Sequence, residues 1–129
     1  MTEAVLGRTA RTVRSPTYAH GVAAVGVTRS LDAVTTLLGL TLVPTLEEAN
    51  PLARAVFAAI GPAAGLVVLS VAAIASVTLV TELGVALIEP EDGPIDGTTI
   101  RYLGYGLPSI LSLLAAVHNV RLVVTAVGG

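Results

Sequence analysis

Residues 55–81 read AVFAAIGPAAGLVVLSVAAIASVTLVT, and none of the 27 carries a charge. As a helix rising 1.5 Å per residue the run reaches about 40 Å, against a hydrocarbon core of about 30 Å. It is expected to cross a membrane. A second uncharged run, 102–120, has 19 residues, roughly 28 Å on the same rise and just enough to cross. A third apolar stretch, 19–43, is interrupted by Arg29 and Asp32, each costing about 2.5 to 3.5 kcal/mol at a helix centre on the insertion scale. It keeps the length to cross, and its two charges are spaced to pair.

Composition agrees with that reading. Of the 129 residues 53% are hydrophobic and 12% charged, against roughly 25% charged in an average soluble domain, and the mean hydropathy is +0.84. Seven Arg, no Lys and nine acidic residues leave a net charge of −2, without the basic excess that neutralises phosphates, so nucleic acid is excluded as a partner. The absence of Cys removes disulfides and thiolate chemistry. His20 and His118 fit no zinc spacing. No metal site and no cofactor is expected.

The breakers divide the chain. Residues 1–17 form a polar tail with Arg8, Arg11 and Arg14 among Ser and Thr; its Arg-rich, acid-poor start also fits a targeting segment, but no cleavage site follows a clean apolar region before Arg29. A first span is expected at about 21–43, ended by Pro44. Asn50-Pro51 caps and restarts a short helix at 51–60, since Asn caps well and Pro is tolerated in a first turn. Gly61-Pro62 breaks it, so it reads as an interfacial helix leading into a second span at 63–88. Residues 89–99 form an acidic loop, and a third span follows at 101–124, with Pro108 inside it as a possible kink. The expected fold is all-α, one integral membrane bundle of three transmembrane helices over 18–129.

Orientation follows from basic residues near span ends. Arg8, Arg11 and Arg14 precede the first span, Arg54 follows it, and Arg101 and Arg121 flank the third. The N-terminus and the acidic loop are expected in the cytoplasm and the C-terminus outside, in a multi-pass protein of the cell membrane.

Ionisable residues inside a span are functional candidates by default. Thr28, Arg29, Asp32, Thr35, Thr36 and Gly39 recur at three- and four-residue spacing and share one helical face. That face either relays protons or ions through Asp32, or locks helices together through an internal ion pair. The pair is favoured, because an Arg beside an Asp removes the titrating freedom a relay carboxylate needs. Counting from Val22, Arg29 lies about 10 Å inside the cytoplasmic end, and Glu82 lies about 9 Å from that end, so an Arg29, Asp32, Glu82 cluster is expected. At the opposite end Glu47, Glu48 and Asn50 face His118, Asn119 and Arg121, which reads best as helix ends tied together. Gly61 and Gly65, continued by Ala72 and Ser76, make a small-residue seam for close packing within the chain or between copies. Tyr18, Tyr102 and Tyr105 fall where an interfacial aromatic belt is expected.

The run Leu31-Asp32-Ala33-Val34-Thr35-Thr36-Leu37-Leu38-Gly39, then Glu48-Ala49-Asn50-Pro51-Leu52 and Gly61-Pro62, resembles a small prokaryotic family of uncharacterised three-span membrane proteins. That family carries D-x-x-x-T early in the first helix and E-x-N-P after it. The resemblance covers roughly residues 31–119 and implies the three-span fold and a role for Asp32, Thr36, Glu48, Asn50 and Pro51. The chain departs from it in lacking a lysine in the second helix. Its Arg, Val, Thr and Ala usage without Lys is similar to that of halophilic archaeal membrane proteins.

Enzyme signatures are missing: there is no P-loop, G-x-S-x-G elbow, H-E-x-x-H or dinucleotide fingerprint, and Gly104-x-Gly106 lacks a third glycine. Ser112 and His118 are six residues apart and fall on different helical faces. The chain is not expected to be an enzyme. The expected function is that of a structural or accessory membrane subunit, packed with itself or with a larger complex in the lipid bilayer. The alternative is a minimal oligomeric ion or proton transporter lined by Thr28, Asp32, Thr36 and Glu82.

Overall fold

A computed structural model describes residues 2–4, 6–7, 15–88 and 93–129. The described residues contain helices and no strands. Among the described residues the fold is built on α1 (Pro16–Leu42), α2 (Pro51–Ile60), α3 (Pro62–Ile88) and α4 (Gly97–Gly128). Three of them, α1, α3 and α4, are long and apolar enough to cross a membrane. Of the polar tail, residues 2–4 and 6–7 are helical; Arg8, Arg11 and Arg14 lie outside the described residues, as do 89–92 of the acidic loop.

Two helices start earlier than the expected spans, one at a proline and the other at a side-chain cap. Ser15 sits at the N-cap of α1 with Pro16 behind it, and the fixed φ of proline suits a first helical position. The helix therefore begins at 16 instead of 21. In α4 the Asp96 carboxylate accepts from the Thr99 backbone N–H and from its hydroxyl, both at 2.8 Å, so the helix absorbs residues 97–99 that read as loop. These two bonds hold the Asp96 carboxyl below the usual carboxylate range. The cap is therefore complete at neutral pH and weakens only as acid carries the pH down through that lowered value.

The E-x-N-P stretch is a capping device. Asn50 Oδ1 accepts from Leu52 N at 2.9 Å and Ala53 N at 3.4 Å, and Glu48 Oε1 accepts from Asn50 N at 2.9 Å. Pro51 then opens α2. Gly61 ends that helix at φ +87°, a left-handed backbone value that glycine adopts without Cβ strain, and Pro62 starts α3 at once. Gly61 is thus a hinge between helices, and Gly65 packs alone: a Cβ there would meet the Phe57 ring at 2.6 Å and Val56 at 3.3 Å. The Gly61-to-Gly65 spacing folds α2 back onto α3 within one chain. Gly65→Leu is expected to lift α2 off α3, at an overpacking cost of about 1 to 3 kcal/mol, read as a lower denaturant midpoint and faster proteolysis in 43–61. An unchanged midpoint would contradict this packing.

Helix α1 packs most extensively on α4, while α3 leans on α4 more than on α1. Three contacts fix α1 and α4 as parallel: Arg101 reaches Ser15, Asn119 reaches Asp32, and Val123 stands beside Gly39. Helix α3 runs the other way, with Glu82 meeting Arg101 near the start of α4. The start of α1, the end of α3 and the start of α4 therefore share one end of the bundle; the 43–50 connection and α2 occupy the other. The outward faces are apolar, as a lipid-facing surface requires: Val67, Val71, Leu79, Leu107, Leu111 and Leu114 are among the exposed residues.

Candidate functional site

Two polar networks lie inside the bundle, at different depths. The first, near the α1 start, is built on Arg101, which is 6% exposed. Its Nε donates to Glu82 Oε1 at 3.0 Å and its Nη2 to Glu82 Oε2 at 2.9 Å, a two-pronged pairing that suits the planar guanidinium. The Tyr105 hydroxyl donates to Glu82 Oε1 at 2.8 Å, and Arg101 Nη1 donates to Ser15 Oγ at 3.4 Å. One carboxylate thus binds α3 to α4, and the same arginine reaches α1.

Close backbone approach makes this network possible. A Cβ on Gly21 would overlap the Tyr105 ring, and one on Gly104 would overlap the Thr81 side chain. Tyr105 and Thr81 are 2% and 4% exposed. Adjacent residues of α4 therefore serve both neighbours: Tyr105 presses into the gap at Gly21 on α1, and Gly104 receives Thr81 from α3.

The expected meeting of Arg29 with Glu82 does not occur. Because α1 begins at Pro16, Arg29 lies 13 residues, about 20 Å, from the start of its helix, whereas Glu82 lies about 9 Å from the end of α3. The two charges are roughly a helical turn or two apart in depth, and Glu82 is taken by Arg101. Tyr105 is turned into the bundle at 2% exposure, while Tyr102 is 70% exposed.

The second network contains the charges of α1. Arg29 Nη1 donates to Asp32 Oδ2 at 2.8 Å, with side chains 25% and 14% exposed. The Thr36 hydroxyl donates to Asp32 Oδ1 at 3.5 Å, one helical turn on, which gives the D-x-x-x-T spacing its geometry. From α4, Asn119 Nδ2 lies 3.2 Å from Asp32 Oδ1, 3.2 Å from Thr35 Oγ1 and 2.9 Å from Thr36 Oγ1. Asn119 therefore leaves the expected cluster of helix ends and joins Asp32. Thr28 returns its hydroxyl to the carbonyl of Ala24 at 2.7 Å.

This network lines one end of a cavity of about 630 Å³. Glu47, Glu48, Asn50 and His118 line it as well, so the intramembrane group and the opposite-end group of the sequence surround a single space. Ala72 and Ser76 also border it and are exposed, while Arg121 is exposed outside it. Among the described residues no group of three His, Cys, Asp or Glu side chains is placed to hold a metal.

Sequence reading missed Arg101, Tyr105, Gly21, Gly104 and Thr81. Arg101 and Tyr105 are one helical turn apart and share a face, but nothing local to either residue marks Glu82 as their common partner. No curated protein and no solved structure matches the chain. The family described as Domain of unknown function (DUF5658) matches residues 23–125, a stretch that takes in the whole cavity lining, the Asp32 network and the Glu82, Arg101 and Tyr105 members of the other. The chain is a member of that family.

Proposed function

We propose that the protein is a structural or accessory subunit of a membrane, a bundle that packs with itself or with a larger membrane complex and performs no catalysis. The observation that carries this reading is that Asp32 and Glu82 each sit in an ion pair with an arginine of the same chain. A carboxylate held by an adjacent guanidinium is poorly suited to exchanging protons or ions, and cross-helix hydrogen bonds serve to hold a bundle in register. In this reading α2 lies at the interface, the N-terminus and the 93–96 connection face the cytoplasm, and the C-terminus lies outside. Cysteines placed at Gly93 and Gly128 should then be labelled from opposite sides, Gly93 from within the cell. Labelling of both from one side would overturn the arrangement.

The transporter alternative asks Asp32 and Glu82 to line one path, and they belong to separate networks divided by depth. Purified protein of measured oligomeric state, reconstituted into proteoliposomes, tests the choice. The subunit reading expects no proton or cation flux above that of empty vesicles, for the native chain and for Asp32→Asn alike. Flux in the native chain that Asp32→Asn abolishes would establish transport instead.

A further inference from the structure

The cavity has a feature that helix locking leaves unused. Arg29 spends Nη1 on Asp32, yet its side chain is 25% exposed and borders the cavity. A guanidinium has five N–H donors, and those on its exposed part can meet an acceptor that enters the cavity. The same lining supplies an apolar bed, with Phe57 from α2 and Leu66 and Leu69 from α3. At about 630 Å³ the space is within the range of small-molecule sites, roughly 300 to 1,000 Å³.

Charge narrows what can enter. Arg29 shares the lining with Asp32, Glu47 and Glu48, three carboxyl groups to one guanidinium and so an excess of acidic groups. A carboxylate or phosphate head would be repelled by that excess, so Arg29 is set to receive an uncharged oxygen. We propose that the cavity binds a neutral amphiphile, with its hydroxyl or carbonyl oxygen accepting from the Arg29 guanidinium and its hydrocarbon body lying against Phe57, Leu66 and Leu69. The three carboxylates then act as a filter against anionic lipids. This site is separate from the subunit reading: the bundle can be structural with the cavity filled or empty.

A twelve-carbon alcohol carrying a mid-chain diazirine tests the site. The probe is photolysed with the full chain in lipid nanodiscs, and labelled residues are mapped by mass spectrometry. Labels are expected to concentrate on cavity residues between 66 and 76 and between 115 and 122. Dodecanol should compete at about tenfold lower concentration than dodecane or dodecanoate, the difference one charge-assisted hydrogen bond confers. Arg29→Lys keeps a cation beside Asp32 and removes the planar donor edge; it should cut cavity labelling about tenfold with helix content unchanged. Ala73→Phe, which fills the space and leaves both ion pairs intact, should do the same. Labels spread evenly over outward residues such as Leu79 and Leu111, or equal competition by dodecane, would overturn the proposal, and the competition series decides it on the native chain if either variant fails to fold.

Discussion

Glu82→Leu is expected to be the most damaging single substitution of a polar residue in this protein. Removing the carboxylate takes from Arg101, 6% exposed, the acceptor of its Nε and Nη2, and breaking a buried pair from one side costs about 3 to 5 kcal/mol. The loss extends beyond the pair, because Tyr105 gives up the acceptor for its hydroxyl and its ring is the contact that seats α4 on Gly21. The substitution should therefore loosen α4 from both neighbours. Unfolding in mixed micelles followed by circular dichroism should show the lowered midpoint, and disulfide trapping between cysteines on α1 and α4 should become inefficient. A stable Glu82→Leu protein would mean that Arg101 is held by something other than this carboxylate.

The second large effect concerns Arg29 and Asp32. Each single replacement by Leu leaves a partly buried charge without its partner, again about 3 to 5 kcal/mol at full burial and less here, since Arg29 keeps 25% exposure. The two singles are not equivalent. Asp32→Leu also removes an acceptor of Thr36 and Asn119 and so weakens the tie between α1 and α4, whereas Arg29→Leu leaves that tie in place. Asp32→Leu should be the more destabilising, and the double variant should recover the part due to the stranded arginine while keeping the part due to Asn119. Measured midpoints for all three check this. A double variant no better than Asp32→Leu would show that the ion pair contributes nothing.

What could be read from the sequence was whatever depends on local composition. The uncharged run 55–81 announces a crossing helix because its cause, the missing charges, is contained in the run itself. The Asn50 cap and the Gly61-Pro62 break were legible for the same reason: a cap or a break is made by the residues that spell it. The pairing of Arg29 with Asp32 follows from a spacing of three on one helix. The partner of Glu82 was not legible, because it depends on where two helices begin. An error of five residues at the start of α1 moves Arg29 by about 8 Å in depth, enough to exchange one neighbour for another. The weight of Ser15-Pro16 and of Asp96 as starting signals was the missing information. The close approaches at Gly21 and Gly104 were beyond reach, since a glycine in an apolar helix looks the same whether or not a tyrosine or a threonine fills the space beside it.

The central claim is that the charges within the bundle hold it together as matched pairs. The coupling free energy between Glu82 and Arg101 tests it most directly, from the unfolding midpoints of the native chain, Glu82→Leu, Arg101→Leu and the double variant in one micelle composition. The account predicts that each single loses several kcal/mol and that the double recovers the part due to the broken pair, because replacing both members of a buried pair by apolar residues is often near neutral, while keeping the part due to the lost acceptor of Tyr105. Additive losses, with the double as unstable as the two singles combined, would contradict it.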